Sequence, residues 1–70
     1  MPEIRKFNVD IGEFYQLNPE KDFTKISRIP GMGYGWWIVS VTPGDLGRLG
    51  EIEAFEATTE EIFSDTKLAS

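Results

Sequence analysis

The side chains that most often carry out acid–base or nucleophilic chemistry near neutral pH are histidine and cysteine, and this sequence has neither. Carboxylates remain, of which Glu51, Glu53 and Glu56 are the most closely spaced. A pair of them could hydrolyse a glycosidic bond, but that reaction also needs a substrate cleft, which a chain of 70 residues has little volume to build. We therefore expect a protein that is not an enzyme and that holds no cofactor.

Metal and nucleotide sites are equally disfavoured by the pattern of residues. Zinc sites of the usual kind need Cys or His, and calcium loops need alternating Asp or Asn around a central Gly. Gly31, Gly33 and Gly35 resemble a nucleotide loop only superficially, because the dinucleotide fingerprint has another spacing and is followed by a helix. The sequence here continues into an apolar, β-branched segment instead. We expect no metal site and no nucleotide site.

The glycine run is better suited to binding a partner. It sets Met32 and Tyr34 beside the adjacent Trp36 and Trp37, and these residue types are enriched at protein interfaces. Neighbouring residues of a strand point to opposite faces, so a sheet covered on one side leaves one tryptophan exposed. The non-functional alternative places Trp37 in the core and Trp36 over an edge of the sheet.

A second candidate surface lies in the acidic C-terminal third. The chain has seven basic and twelve acidic residues, and positions 51–65 hold six of the acidic ones and no basic one. Aromatic residues among these acids could dock into a groove with a basic rim, or they could pack on the protein's own sheet. The predicted partner-binding residues of both surfaces are Met32, Tyr34, Trp36, Trp37, Phe55, Glu56, Glu60 and Phe63.

The N-terminal half predicts one strand and one short helix. In segment 4–11, Phe7, Val9 and Ile11 alternate with polar residues, which is the period of a half-buried strand. Asn18 can cap a helix and Pro19 suits its first position, so we expect a short helix from there that ends by residue 29. The alternative is a loop followed by a strand through residues 23–29.

The C-terminal half is dominated by aromatic and β-branched residues at 36–42, the strongest strand signal in the chain. One face of that strand would carry Trp37, Val39 and Val41. A turn follows at 43–45, and residues 51–57 form either a strand with its small and aliphatic residues inward or a helix. Thr58 and Glu61 have the spacing of a capping box, which predicts a helix over about 59–67 and an unordered end at 66–70.

These elements predict one α+β domain over residues 1–70, a small antiparallel sheet of about three strands with one or two short helices. The stretch from Pro43 to Gly47 follows a strand and is similar to turns in SH3-like small barrels. A small SH3-like β-barrel is therefore the alternative fold.

We expect a protein-binding module, either an accessory subunit or a small inhibitor of a larger complex. Its partner would be a protein with a basic surface, or a second copy of the chain. No apolar run has the length of a membrane span, so a cytoplasmic location without membrane contact is expected.

The alternative function is nucleic-acid binding, with Tyr34, Trp36 and Trp37 stacking on bases. The basic residues along the path of the phosphate backbone would be Arg5, Lys6, Lys25 and Arg28. The net charge of −5 opposes it, because phosphates attract basic residues.

Overall fold

The computed structural model describes residues 2–44 and 48–69, with side chains described as far as Asp65. Its elements are β1 (Arg5–Asp10), α1 (Ile11–Leu17), β2 (Ser27–Ile29), β3 (Gly33–Pro43), β4 (Leu49–Glu56) and α2 (Thr59–Ala69). Within this part of the chain the four strands form an antiparallel, curled sheet in the order β1-β4-β3-β2. The α+β prediction is confirmed, with four strands in place of about three. The sheet curls as a half-barrel, and β1 and β2 remain its two edges.

The inner face of the sheet packs against α1. Phe7 and Val41 lie on either side of Ile52 in the register of β1, β4 and β3, so all three point to this face. Phe14 of α1 is fully buried against it. The buried core consists of Val9, Ile11, Phe14, Ile29, Trp36, Ile52 and Ala54.

The first strand ends one residue earlier than the alternation of apolar residues predicts. Phe7 and Val9 point inward as expected, but Ile11 is the first residue of α1. The reason is Asp10, whose carboxylate accepts a hydrogen bond from the backbone N–H of Glu13 at 3.1 Å and so caps the helix. Ile11 is still buried, because it lies one helical turn from Phe14 on the same face.

The helix predicted to start at Asn18 is wrong, since Asn18 ends α1 instead. Its side-chain amide donates to the carbonyl oxygens of Phe14 and Arg28, each at 2.8 Å. Its side-chain oxygen accepts from the backbone N–H of Arg28, also at 2.8 Å. Asn18 therefore links the end of α1 to β2. The alternative of a loop followed by a strand through residues 23–29 is right in part, since the strand covers only Ser27–Ile29 and residues 23–26 belong to the loop.

A β-bulge changes which residues of β3 face the core. The register shifts between Ile38 and Ser40, so Val39 is the extra residue and its side chain is 49% exposed. After the bulge Val41 points to the inner face, opposite Ile52. The expectation that Trp37, Val39 and Val41 share a face is therefore wrong.

The last two predicted elements are confirmed. Residues 51–57 fall almost wholly within β4, and Ile52 and Ala54 point inward and are fully buried. The capping box of α2 is formed, because the Glu61 backbone N–H donates to the Thr58 hydroxyl at 3.1 Å and the Thr58 backbone N–H donates to the Glu61 carboxylate at 2.8 Å. Asp45 of the expected turn at 43–45, and the side chains of residues 66–70, lie outside the described residues, so the expected unordered end stays a prediction.

Candidate functional site

The outer face of the sheet, on the side away from α1, is polar in its middle. Lys6, Glu53 and Ser40 lie side by side across β1, β4 and β3. Two residues further along the strands, Glu51 of β4 is paired with Thr42 of β3. Since residues paired across antiparallel strands point to the same side, these side chains share one surface.

The outer face becomes aromatic where α2 meets the sheet. Trp37 is half-buried there and lies opposite Phe55 in the register of β3 and β4. A shallow pocket of about 330 Å³ opens between the indole and α2. We call it the Trp37 groove, and it is lined by Trp37, Thr58, Glu60, Glu61, Ser64 and Asp65.

The electrostatics of the Trp37 groove are set by its carboxylates. The backbone N–H of Thr58 donates a hydrogen bond to the Glu61 carboxylate and, with smaller contributions from the side chains of Thr58 and Trp37, lowers the pKa of this carboxyl, outweighing its desolvation. Glu61 is therefore ionised at neutral pH. With Glu60 and Asp65 beside it, the wall of the groove carries negative charge next to an aromatic surface.

Two contacts from β3 hold α2 over this end of the sheet. The Tyr34 hydroxyl donates a hydrogen bond to the Asp65 carboxylate. Gly35 has a φ of +124° and lies beneath Ile62, where an added Cβ would come within 3.1 Å of the Ile62 Cδ1 atom. Glycine is thus required at position 35 both for the backbone conformation and for the approach of the helix. The Tyr34 ring also contacts Arg28, whose guanidinium lies 5.0 Å from the ring centre.

The two tryptophans are placed opposite to the non-functional alternative. Trp36 is in the core and only 4% exposed, with its ring edge-on to Phe7 at 5.0 Å between centres. Arg5 covers it, with the guanidinium 5.3 Å from the ring centre. Trp36 points inward because it lies on the face of β3 that also carries Ile38. As a predicted partner-binding residue it has little surface to offer, and Trp37 has more.

The other predicted site residues are distributed around α2. Glu60 lines the Trp37 groove, whereas Met32, Tyr34 and Glu56 line a second pocket of about 200 Å³. Glu56 also forms an ion pair with Arg5, with 3.4 Å between nitrogen and oxygen.

Phe55 and Phe63 differ in their surroundings. Phe55 is half-buried beside Trp37, and Phe63 is 69% exposed on α2 and lines neither pocket. The structure therefore gathers most of the predicted residues around α2 without placing them on one continuous surface.

Four residues that line the groove are not among the binding residues predicted from the sequence, namely Thr58, Glu61, Ser64 and Asp65. Glu61 and Asp65 both belong to the acidic stretch considered for docking, and Glu61 also to the predicted helix cap, but neither is among the predicted binding residues. Their spacing of four residues in a predicted helix places both on one face, which was the available signal. That this face would meet Trp37 and Tyr34 depends on how α2 packs, and spacing alone does not give it.

The three rings proposed for base stacking do not form one platform. Tyr34 and Trp37 are on the side of α2, while Trp36 points into the core. Two of the basic residues expected along the phosphate backbone form ion pairs within the protein, Arg5 with Glu56 and Lys25 with Glu20. The expectation of a shared stacking surface is therefore wrong.

The fold and the groove together define a small α+β domain with an acidic, aromatic surface groove. Comparison with family models, curated proteins and solved structures finds no match. Within residues 2–44 and 48–69, no three acidic side chains are grouped so as to hold a metal ion. The helices described in those ranges are too short or too polar to cross a membrane.

Proposed function

We propose that this protein is a non-enzymatic protein-binding module, an accessory subunit or small inhibitor of a larger complex, and that the Trp37 groove is the centre of its binding surface. The observation that carries the proposal is a half-buried tryptophan at the surface, bordered by the carboxylates of α2. Tryptophan is among the residues that most often dominate binding energy at interfaces. Its large ring gains further burial when a partner covers it.

The charge of the groove supports a basic partner. An ammonium or guanidinium group over an indole gains about 0.5–2 kcal/mol from the cation–π interaction. Glu60, Glu61 and Asp65 would add ion pairs around the same group. A phosphate in this position would face those carboxylates, so the groove favours a Lys or Arg side chain of a protein over a nucleic acid.

The test is affinity capture from a lysate of the native host, with three immobilised forms of the chain. They are the unaltered protein, the Trp37→Ala variant and the Ile4→Ala control. Ile4 is a suitable control because it is 53% exposed, precedes β1 and does not line the Trp37 groove. Far-UV circular dichroism of each form establishes that all three are folded.

We expect a stoichiometric protein to be retained by the unaltered chain and by Ile4→Ala, and to be reduced at least tenfold on Trp37→Ala. Retention of no stoichiometric protein would overturn the proposal. So would a protein that all three forms retain equally, because its binding would not involve the groove.

A further inference from the structure

Strand β3 is paired along only part of one side. It pairs with β4 from Trp36 to Pro43, but β2 covers it only from Gly33 to Trp36. Within the described residues, no other strand and no backbone hydrogen bond from a loop reaches residues 37–43 on the β2 side. This stretch therefore presents an open edge with unpaired backbone groups, next to the Trp37 groove.

We propose that the open edge of β3 takes up an extended, basic segment of the partner protein as an additional strand. The inference rests on the proposed function and states how the partner is bound. In this mode of recognition the main-chain hydrogen bonds give affinity, and alternate side chains of the added strand give specificity.

The glutamates of β4 supply the charge complementarity. Ser40 lies between the open edge and Glu53, and Thr42 lies between the edge and Glu51. Neighbouring strands are about 4.8 Å apart, so the glutamates are two such spacings from an added strand. The small hydroxyl side chains of β3 let a long Lys or Arg side chain lie across them and reach these carboxylates.

Both glutamates are available for such a contact. Glu51 and Glu53 are half-buried, and in the described part of the chain neither forms an ion pair or a hydrogen bond through its side chain. Lys6 lies beside Glu53 in the register of β1, but the two side chains are not in ion-pair contact. A cation from the partner would therefore meet carboxylates that have no competing partner.

The two faces of the edge predict the sequence pattern of the partner. Outward side chains of an added strand would lie next to Trp37, Ser40 and Thr42, which favours Lys or Arg at alternate positions. Inward side chains would lie next to Ile38 and Val41, which are only partly buried against the core, and this favours aliphatic residues. The predicted segment thus alternates basic and aliphatic residues.

A second copy of this chain does not fit the same edge. Strand β3 contains no Lys or Arg between Gly33 and Pro43, so two copies paired through it would bring no cation to Glu51 or Glu53. Pairing would instead add the negative charge of one copy to that of the other, at a net charge of −5 each. The charges therefore select a basic segment of another protein.

The probes for the test are two synthetic peptides of roughly eight residues, long enough to span the edge. The first alternates Lys and Val. The second has the same side chains, but N-methyl groups replace the hydrogen-bonding amide protons on the edge-facing side. Binding is followed at low salt by two-dimensional ¹⁵N NMR of the full chain, together with amide hydrogen exchange.

We expect the first peptide to shift the Trp37 indole signal and to slow the exchange of edge amides in residues 38–42. The N-methylated peptide should bind at least tenfold more weakly. Val39→Lys should weaken the first peptide about threefold or more through charge repulsion, because Val39 lies exposed on the same edge. Val39→Thr, of nearly the same shape, should leave the affinity unchanged.

Two results would overturn the strand inference and leave the proposed function standing. One is equal affinity for both peptides with a shifted Trp37 indole signal, because binding then needs no main-chain hydrogen bonds. The other is no binding of either peptide while capture from the lysate still depends on Trp37. Capture that does not depend on Trp37 would remove the proposed function, and with it the basis of this inference.

Discussion

Replacing each tryptophan in turn by phenylalanine separates a core residue from a surface residue of the same type at adjacent positions. Trp36 is 4% exposed and packs against Phe7, whereas Trp37 is half-buried beside the open Trp37 groove. Trp36→Phe removes part of a ring that is almost fully buried. Trp37→Phe removes part of a ring that solvent already reaches, together with the indole N–H near the Glu61 carboxylate.

The expected magnitudes follow from burial. An enclosed aromatic side chain removes about 150–250 Å² from water, which at about 25 cal/mol per Å² contributes about 4–6 kcal/mol. Trp36→Phe forfeits about a third of this and leaves a space behind, so we expect a loss of about 2–3 kcal/mol in the free energy of unfolding. Trp37→Phe leaves no enclosed space, and its expected loss is about 0.5–1 kcal/mol.

The assay is urea unfolding followed by far-UV circular dichroism, because the fluorescence signal changes with each substitution. With a denaturant slope of about 1 kcal/mol per molar for so small a domain, Trp36→Phe should lower the urea midpoint by about 2–3 M and Trp37→Phe by about 0.5–1 M. Equal losses, or a larger loss for Trp37→Phe, would refute the placement of Trp36 in the core and Trp37 at the surface.

Three further perturbations test how α2 is held. Gly35→Ala should lower the free energy of unfolding, measured by thermal denaturation, by about 1–3 kcal/mol, because Gly35 has a positive φ and an added Cβ would contact Ile62. Gly31→Ala is the control, since Gly31 also has a positive φ but faces open space, and its loss should be smaller. Equal losses for the two variants would exclude the contact with Ile62. Thr58→Ala should cost about 1 kcal/mol in the same assay by removing the helix cap, and an unchanged melting temperature would show that the cap contributes nothing. The hydrogen bond from the Thr58 backbone N–H lowers the pKa of the Glu61 carboxyl, so it stabilises the fold above the ordinary glutamate pKa, and this stabilisation is lost as the pH falls through about 4 and below. The pH dependence of unfolding in that range should therefore be smaller in Glu61→Gln, which has no carboxyl to titrate at this position, than in the unaltered chain, and identical profiles would contradict this assignment.

The elements that could be predicted from the sequence are those whose signals are local. The capping box at Thr58 and Glu61 needs only residues three apart, and the structure forms it. The inward pair Ile52 and Ala54 needs only the period of a strand. In both cases the local preference and the packing of the whole domain agree.

The failures arise where a distant part of the chain decides the conformation. Asn18 has the chemistry of a helix N-cap, but its side chain pairs with Arg28, ten positions away, and it ends a helix instead. The bulge at Val39 exists only because β3 pairs with β4 in a particular register, so the sequence of β3 alone predicted the wrong face for Val41. Local patterns carry no information on either contact.

The candidate site was predicted in part for the same reason. The adjacency of Trp36 and Trp37 predicts correctly that they diverge, since that follows from the geometry of a strand. Which of them faces the core depends on which face α1 covers, and no local signal gives that. The acidic wall of the Trp37 groove likewise depends on α2 folding back over Tyr34.

We propose that a protein partner binds through Trp37 and the carboxylates beside it. The most direct measurement is the dissociation constant of the captured protein by isothermal titration calorimetry, for the unaltered chain, Trp37→Ala and Ile4→Ala. We expect Trp37→Ala to bind about 10- to 100-fold more weakly, a loss of about 1.4–2.8 kcal/mol in binding free energy, and Ile4→Ala to bind as the unaltered chain does. A dissociation constant that is the same for all three forms would contradict it.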